Sequence, residues 1–353
     1  MHANGRELYQ PPLLPLRTPR EIYDHLDAYV VGQELAKRTM AIAAYNHLKR
    51  VAANPSAGRL LRKSNILMIG PSGSGKTHVA RQLADAIGLP FTIVDATSYT
   101  EAGYYGKDVE VMVAELLLKT GQSVEMAQRG IIFIDEIDKI ARRDFGARSG
   151  AGPRDVGGLG VQQALLKLLE GSPVFVPINV SQHWSKHEYV QVDTSDILFI
   201  CAGTFSDLKR RRTSRVGFDR AAPSGAARRI PDEDLIEYGF LVEFLGRLPV
   251  VVELDELGEH ELARILTGPP DALCKEYRAL LAKDGVELLI AQDGVEEIAR
   301  AARRRRTGAR ALRSLMEALM RDLMFEAPER SGSTVKIDRA FVRSRLDAQA
   351  EIS

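Results

Sequence analysis

Cysteine is nearly absent. The 353 residues hold only Cys201 and Cys274, far apart and each in an apolar setting. Two such residues cannot build a disulfide framework or a Cys-rich zinc site, and packing as small apolar side chains is the reading they support. Charge of one sign is also lacking. A net charge of +1 supplies no global field to steer the chain onto nucleic acid or an anionic membrane. No apolar run approaches the roughly 18 residues of a membrane-spanning helix, and Met1 to Gln10 has no signal-peptide core. These absences lead to the expectation of a cytoplasmic protein with no membrane, zinc or nucleic-acid partner. The length leaves room for about two domains, each with an ample core.

Glycine, by contrast, is placed with purpose. Gly70-Pro71-Ser72-Gly73-Ser74-Gly75-Lys76-Thr77 has the spacing G-x-x-x-x-G-K-[ST]. It follows an apolar run from Asn65 to Ile69 that reads as a buried strand. A helical pattern follows it, with Val79, Ala80, Leu83, Ala84 and Ile87 on one face. Strand, glycine-rich loop and helix form the context of a phosphate-binding loop. Backbone N–H groups converge there on phosphate oxygens, and the helix N-terminus adds positive potential. Lys76 would reach the β- and γ-phosphates of a nucleoside triphosphate, and the Thr77 hydroxyl would ligate Mg²⁺.

The rest of the chain reads as an α/β protein. Four prolines within residues 1–20 suggest an extended arm, after which Thr18-Pro19-Arg20-Glu21 opens a helix. A second helix runs from Glu34 to about Arg50. Phe91 to Val94, Ile131 to Ile134 and Ile197 to Cys201 are further strands, the continuous apolar ones suited to a parallel sheet covered on both faces. Residues 142–160 and 209–229 read as loops. After Val252 the pattern becomes mostly helical, with short alternating stretches at Val286 to Ile290 and Val335 to Ile337. The expected division is therefore an arm over 1–20, a large α/β domain over 21–252 and a smaller, mostly helical domain over 253–353.

Hydrolytic chemistry follows from position. Asp135 ends a buried strand, where open α/β sheets place ligands, and with Thr77 it would hold Mg²⁺. Glu136, the next residue, is the natural general base for an attacking water. Thr204, just past another strand, is placed either to sense that water or to serve as a plain loop threonine. Arg247 could act as a finger on the γ-phosphate of a neighbouring subunit, and Arg310, opening a helix of the small domain, could reach the same phosphate. Both arginines could equally be surface ion-pair partners.

Taken together these residues resemble the ClpX-type AAA+ protein unfoldases. The likeness is carried by Tyr29-Val30-Val31-Gly32-Gln33, the phosphate loop, Asp95-Ala96-Thr97, Thr100-Glu101-Ala102-Gly103-Tyr104, Ile134-Asp135-Glu136-Ile137-Asp138-Lys139-Ile140, Val161 to Lys167, Gln191 to Thr194, Gly246-Arg247-Leu248-Pro249 and Thr307-Gly308-Ala309-Arg310. It implies the AAA+ fold, a ring homo-hexamer and ATP-driven pulling of protein substrates through a central pore. It also implies that Val30, Val31 and His78 join the phosphate loop in binding nucleotide. Tyr104, with Tyr105 beside it, matches the aromatic pore loop, and Arg154 matches the end of a second one. Val216-Gly217-Phe218 matches the tripeptide that plugs into a ClpP-like peptidase.

The sequence departs from the family in several places. The four-cysteine N-terminal zinc module is missing, and Ser181 to Glu188 offers His183, Lys186 and His187 but no arginine. Leu159 stands where an acidic residue is usual, and the stretch after Phe218 is short. The expected function is an unfoldase that delivers substrates to a ClpP-like peptidase. The alternative is a remodelling chaperone that uses the same motor without a protease. A nucleic-acid factor, suggested by the basic runs Lys209 to Arg212 and Arg303 to Arg306, is disfavoured because those runs lack interleaved aromatics.

Overall fold

The computed structural model describes residues 17–52, 62–99, 107–141, 158–178, 189–206, 208 and 230–350. Two helices lead into the fold, α1 (Pro19–Tyr29) and α2 (Glu34–Ala52). A capping box starts α1: the Thr18 N–H donates to Glu21 Oε2 at 2.7 Å, and the Glu21 N–H donates back to Thr18 Oγ1 at 3.3 Å. Such a cap contributes about 1 kcal/mol, and Pro19 at the first helical position loses no hydrogen bond by lacking an N–H.

Five parallel strands build the central sheet: β1 (Ile66–Ile69), β2 (Phe91–Asp95), β3 (Ile131–Asp135), β6 (Leu198–Gly203) and β7 (Val250–Glu253). Their order across the sheet is β2-β3-β6-β1-β7. Successive side chains point to opposite faces, and both faces are covered. Ile66, Met68, Ile131, Phe133 and Ile200 pack under α1, α2 and α3 (Lys76–Ile87). Leu67, Ile69, Ile132, Ile134 and Phe199 pack the other way, against α4 (Val111–Lys119) and α6 (Leu159–Glu170), with the short α5 (Val124–Ala127) between them in sequence. The expected strands are therefore present, with the third running from Leu198 to Gly203 and not from Ile197 to Cys201. An antiparallel hairpin of β4 (Pro173–Pro177) and β5 (Tyr189–Asp193) was not expected from the sequence.

Beyond α7 (Asp232–Tyr238), α8 (Val242–Gly246) and β7, a third core draws only on residues from Leu257 onward. It gathers α9 (Glu259–Thr267), α10 (Leu273–Lys283), α11 (Gln292–Arg304), α12 (Arg310–Glu326) and α13 (Arg339–Ala350) around the parallel pair β8 (Glu287–Ile290) and β9 (Thr334–Ile337). Both cysteines are buried, and burial pushes the Cys201 and Cys274 thiols up to about 12 and about 11.

One buried group gives the fold a pH dependence. His47 on α2 is fully enclosed, and burial, with Arg50 and Lys63 nearby, pushes its imidazolium down to about 3. Unfolded, it would titrate near 6.5, so between these values the unfolded chain binds a proton that the folded chain does not. Stability is therefore expected to fall as pH drops below about 6.5, by up to roughly 1.4 kcal/mol per pH unit from this group. Thermal midpoints at pH 7.5 and pH 5 check this. The acid-side drop should shrink in His47→Gln, and an equal drop in the variant refutes the assignment.

Candidate functional site

The glycine-rich loop joins β1 to α3 at the carboxyl end of the sheet. Gly75, with φ +98°, caps α3, and Lys76 begins it. The Lys76 ammonium folds back onto the loop, donating to the Gly70 and Pro71 carbonyls at 2.8 and 3.1 Å. Thr77 Oγ1 donates to Asp135 Oδ2 at 3.3 Å, which brings the first turn of α3 to the end of β3. The other Asp135 oxygen accepts from the Glu136 N–H at 2.9 Å. Glu136 itself sits at φ +56°, a left-handed conformation that costs a non-glycine residue on the order of 1 kcal/mol. Glu136 follows directly on a buried strand and lines the cleft beside Asp135.

Two glycines bring the third core to the phosphate loop. A Cβ on Gly73 would lie 2.1 Å from the Thr307 carbonyl oxygen, and one on Gly308 would lie 2.6 Å from the Gly73 oxygen. Backbone therefore rests on backbone here, and the Ala309 N–H donates to Gly73 O at 3.0 Å. Arg310 follows directly and opens α12 over the loop.

The result is a cleft of about 630 Å³ between the sheet and the helical core, a size common for small-molecule sites. Ser72, Gly73, Gly75, Lys76, Thr77, His78, Asp135, Glu136, Thr204 and Arg310 all line it. Gly70 does not line it but receives the Lys76 ammonium on its carbonyl, and Pro71 and Ser74 face a smaller cavity of about 150 Å³. Val30 and Val31 are buried and do not line the cleft, but His78 Nε2 lies 3.2 Å from the Tyr29 carbonyl just before them. Tyr104, Tyr105, Arg154, Val216, Gly217 and Phe218 lie outside the described residues.

Arg247 is elsewhere. It precedes the amino end of β7, at the opposite end of the sheet from the phosphate loop. Its guanidinium pairs with Glu170 at the end of α6, at 2.5 Å, both side chains about half exposed. Its carbonyl accepts from the buried Asn65 amide at 3.0 Å, which also donates to Leu169 O.

The cleft holds residues that the sequence did not single out for a role. Asp138 is buried and accepts from Thr204 Oγ1 at 3.0 Å and from the Phe205 N–H at 3.3 Å. It thus fixes the hydroxyl that faces the cleft. Lys139 and Arg313 add positive charge, and Arg313 is held by Glu276 of α10 at 3.0 Å, which also raises its affinity for the proton. Four cationic side chains, Lys76, Lys139, Arg310 and Arg313, face three carboxylates, Asp135, Glu136 and Asp138. That arrangement suits a polyanion bound together with a cation.

Residues 61–251 match the family described as AAA domain (Cdc48 subfamily), and residues 257–339 match the C-terminal, D2-small domain of ClpB protein. A curated relative from Wolinella succinogenes, named ATP-dependent Clp protease ATP-binding subunit ClpX 2, is 43% identical over 335 residues, covering 94% of this chain and 84% of that protein. The ClpX of Borrelia duttonii is 42% identical over 325 residues, covering 89% and 75%. With a phosphate loop, an Asp-Glu strand end and an arginine-bearing helical core closing one cleft, the chain belongs to the ClpX family of AAA+ ATPases.

Proposed function

We propose that this ATPase is a protein unfoldase that threads substrates through a homo-hexameric ring and delivers them to a ClpP-like peptidase. The observation that carries the reading is the cleft, which both the sheet and the helical core line. Nucleotide held there touches both bodies, so binding and hydrolysis can move one against the other and produce mechanical work. The division into a large domain over 21–252 and a small one over 253–353 is part of the same reading.

In the cleft, the loop N–H groups and Lys76 hold the phosphates of ATP and His78 lies toward the base, with Val30 and Val31 behind it, buried next to the Tyr29 carbonyl that His78 meets. Thr77 and Asp135 offer hard oxygen donors 3.3 Å apart, which fits Mg²⁺. Magnesium bound there would supply charge neutralisation on the phosphates. Glu136 accepts the proton of the attacking water, and Thr204, oriented by Asp138, helps to place that water. Arg310 senses the phosphates from the small domain, while Arg247 serves the cleft of the neighbouring subunit.

Force and docking belong to other segments. Tyr104, flanked by glycine and Tyr105, grips substrate by packing without sequence preference, with Arg154 on a second pore loop. Val216-Gly217-Phe218 anchors the peptidase. Tyr104→Ala is expected to keep ATP hydrolysis but lose unfolding of a tagged fluorescent reporter. Phe218→Ala should keep unfolding but lose peptidase-dependent degradation, since a buried aromatic anchor carries ~2 kcal/mol or more of binding. That is a roughly thirtyfold weakening per loop, multiplied by avidity when several loops engage one ring. Degradation at wild-type rate by Phe218→Ala at limiting peptidase would overturn the docking assignment and favour the protease-free chaperone.

A further inference from the structure

We infer that Gln33 is a positioning residue that ties the base end of the nucleotide cleft to the segment crossing between the large and small cores. The inference rests on the proposed placement of ATP, with His78 toward its base and Val30 and Val31 behind it.

The geometry is a matched pair of hydrogen bonds. Gln33 Nε2 donates to the Asp255 carbonyl and Gln33 Oε1 accepts from the Asp255 N–H, both at 2.9 Å. One side-chain amide thus takes up both backbone polar groups of a residue 222 positions away. Asp255 is the start of the crossing. Leu254 before it belongs to the core under α1–α3 and donates its N–H to Ile69 O at 2.8 Å, one residue short of the phosphate loop. Leu257 after it already belongs to the third core.

The Gln33 end of this clamp is held rigidly. Gly32 and Gln33 take φ values of +68° and +59°, a sharp turn that is uncommon for glutamine. Lys37, wholly buried, donates to the Val30 carbonyl at 3.3 Å and to Glu34 at 2.9 Å, and also meets Asp27. Its own N–H donates to Gln33 O at 2.9 Å. A Cβ on Gly32 would lie 3.6 Å from Glu261 Cγ, so the first helix of the small core abuts the same turn. At the other end of the path, His78 of α3 contacts the Tyr29 carbonyl at 3.2 Å. A continuous chain of contacts therefore runs from the phosphate-loop helix, through Tyr29 to Val31, to Gln33 and on to Asp255. A group that shifts Val30 or Val31 shifts the clamp, and with it the direction in which the chain leaves the large domain.

The test uses the full chain carrying Arg81→Cys on α3 and Arg321→Cys on α12, both exposed positions, labelled as a fluorescence-transfer pair. Cys201 and Cys274 are buried with raised thiol pKa values and stay unlabelled. Dilution into unlabelled chain restricts the signal to transfer within one subunit. Transfer is read with and without the slowly hydrolysed analogue ATPγS, beside its affinity, the thermal midpoint and steady-state ATP hydrolysis.

Gln33→Ala is expected to bind ATPγS within about threefold of the parent, lose at least half of the nucleotide-dependent change in transfer, and lower kcat about tenfold with little change in KM. Asp255→Ala keeps both backbone partners and should behave as the parent does. If Gln33→Ala fails to fold, Gln33→Glu keeps the length but sets a second acceptor against the Asp255 carbonyl, and the same loss is expected. A full transfer change with normal kcat overturns the inference, whatever the thermal midpoint does, because Gln33 is then a structural staple only. Equal losses in Asp255→Ala overturn it as well. Failure of the parent itself to bind ATPγS would instead strike at the nucleotide reading of the cleft.

Discussion

Glu136→Gln is expected to bind ATP as tightly as the parent and to hydrolyse it at least a hundredfold more slowly. Positioned general bases contribute about 10²–10⁴ in rate, and an amide cannot accept the proton. The substitution is nearly isosteric, so the left-handed backbone at φ +56° and the bond from the Glu136 N–H to Asp135 Oδ1 at 2.9 Å need not change. Asp135 and Thr77 keep their 3.3 Å approach, so the oxygen donors assigned to Mg²⁺ are untouched. Lys76→Ala should do the reverse and weaken nucleotide binding itself, since its ammonium sits within the glycine-rich loop that would wrap the phosphates. Equilibrium binding of a fluorescent ATP analogue and steady-state phosphate release separate the two variants. Hydrolysis within a few-fold of the parent by Glu136→Gln would remove it as the base.

Why that site was readable from sequence, and others were not, has a physical cause. The phosphate loop must present several backbone N–H groups within a few residues, so its chemistry is compressed into local spacing. Asp135 and Glu136 were legible because they stand at the carboxyl end of a run buried on both faces, the end at which open α/β sheets place their ligands. The hairpin of β4 and β5 was not, because Pro173 and Pro177 at its ends argue against a strand under local rules. Asp138 lies in a stretch whose likeness to the family was plain. Its role depends on Thr204 and Phe205, 66 and 67 residues away, and no local pattern carries that. Gln33 is the extreme case. An uncharged side chain gives no hint of a partner 222 residues along the chain, and only tertiary packing brings Asp255 to it.

Arg247→Ala is expected to retain ATP binding and lose hydrolysis by about 10³-fold, the lower end of what an arginine finger supplies. The alternative is a surface ion pair with Glu170, and magnitudes separate the two readings. A half-exposed pair contributes about 0–1 kcal/mol, so its loss would alter stability slightly and turnover by a few-fold at most. Glu170→Gln breaks the same pair and leaves the arginine, so it should hydrolyse ATP at close to the parental rate. Position argues for action on a neighbour: Arg247 precedes the amino end of β7, while the phosphate loop leaves the carboxyl end of the adjacent β1. It does not line the cleft of its own chain. Asn65 anchors its carbonyl at 3.0 Å to the base of β1, which gives the residue a firm footing. Mixing then gives a result that no single-chain role can produce. Arg247→Ala subunits still carry Glu136, and Glu136→Gln subunits still carry Arg247. Combined, the two inactive preparations should recover measurable hydrolysis wherever an intact base faces an intact finger. No recovery in mixed rings whose co-assembly is verified by subunit exchange, or full-rate hydrolysis by a strictly monomeric preparation of the parent, would rule out the action in trans.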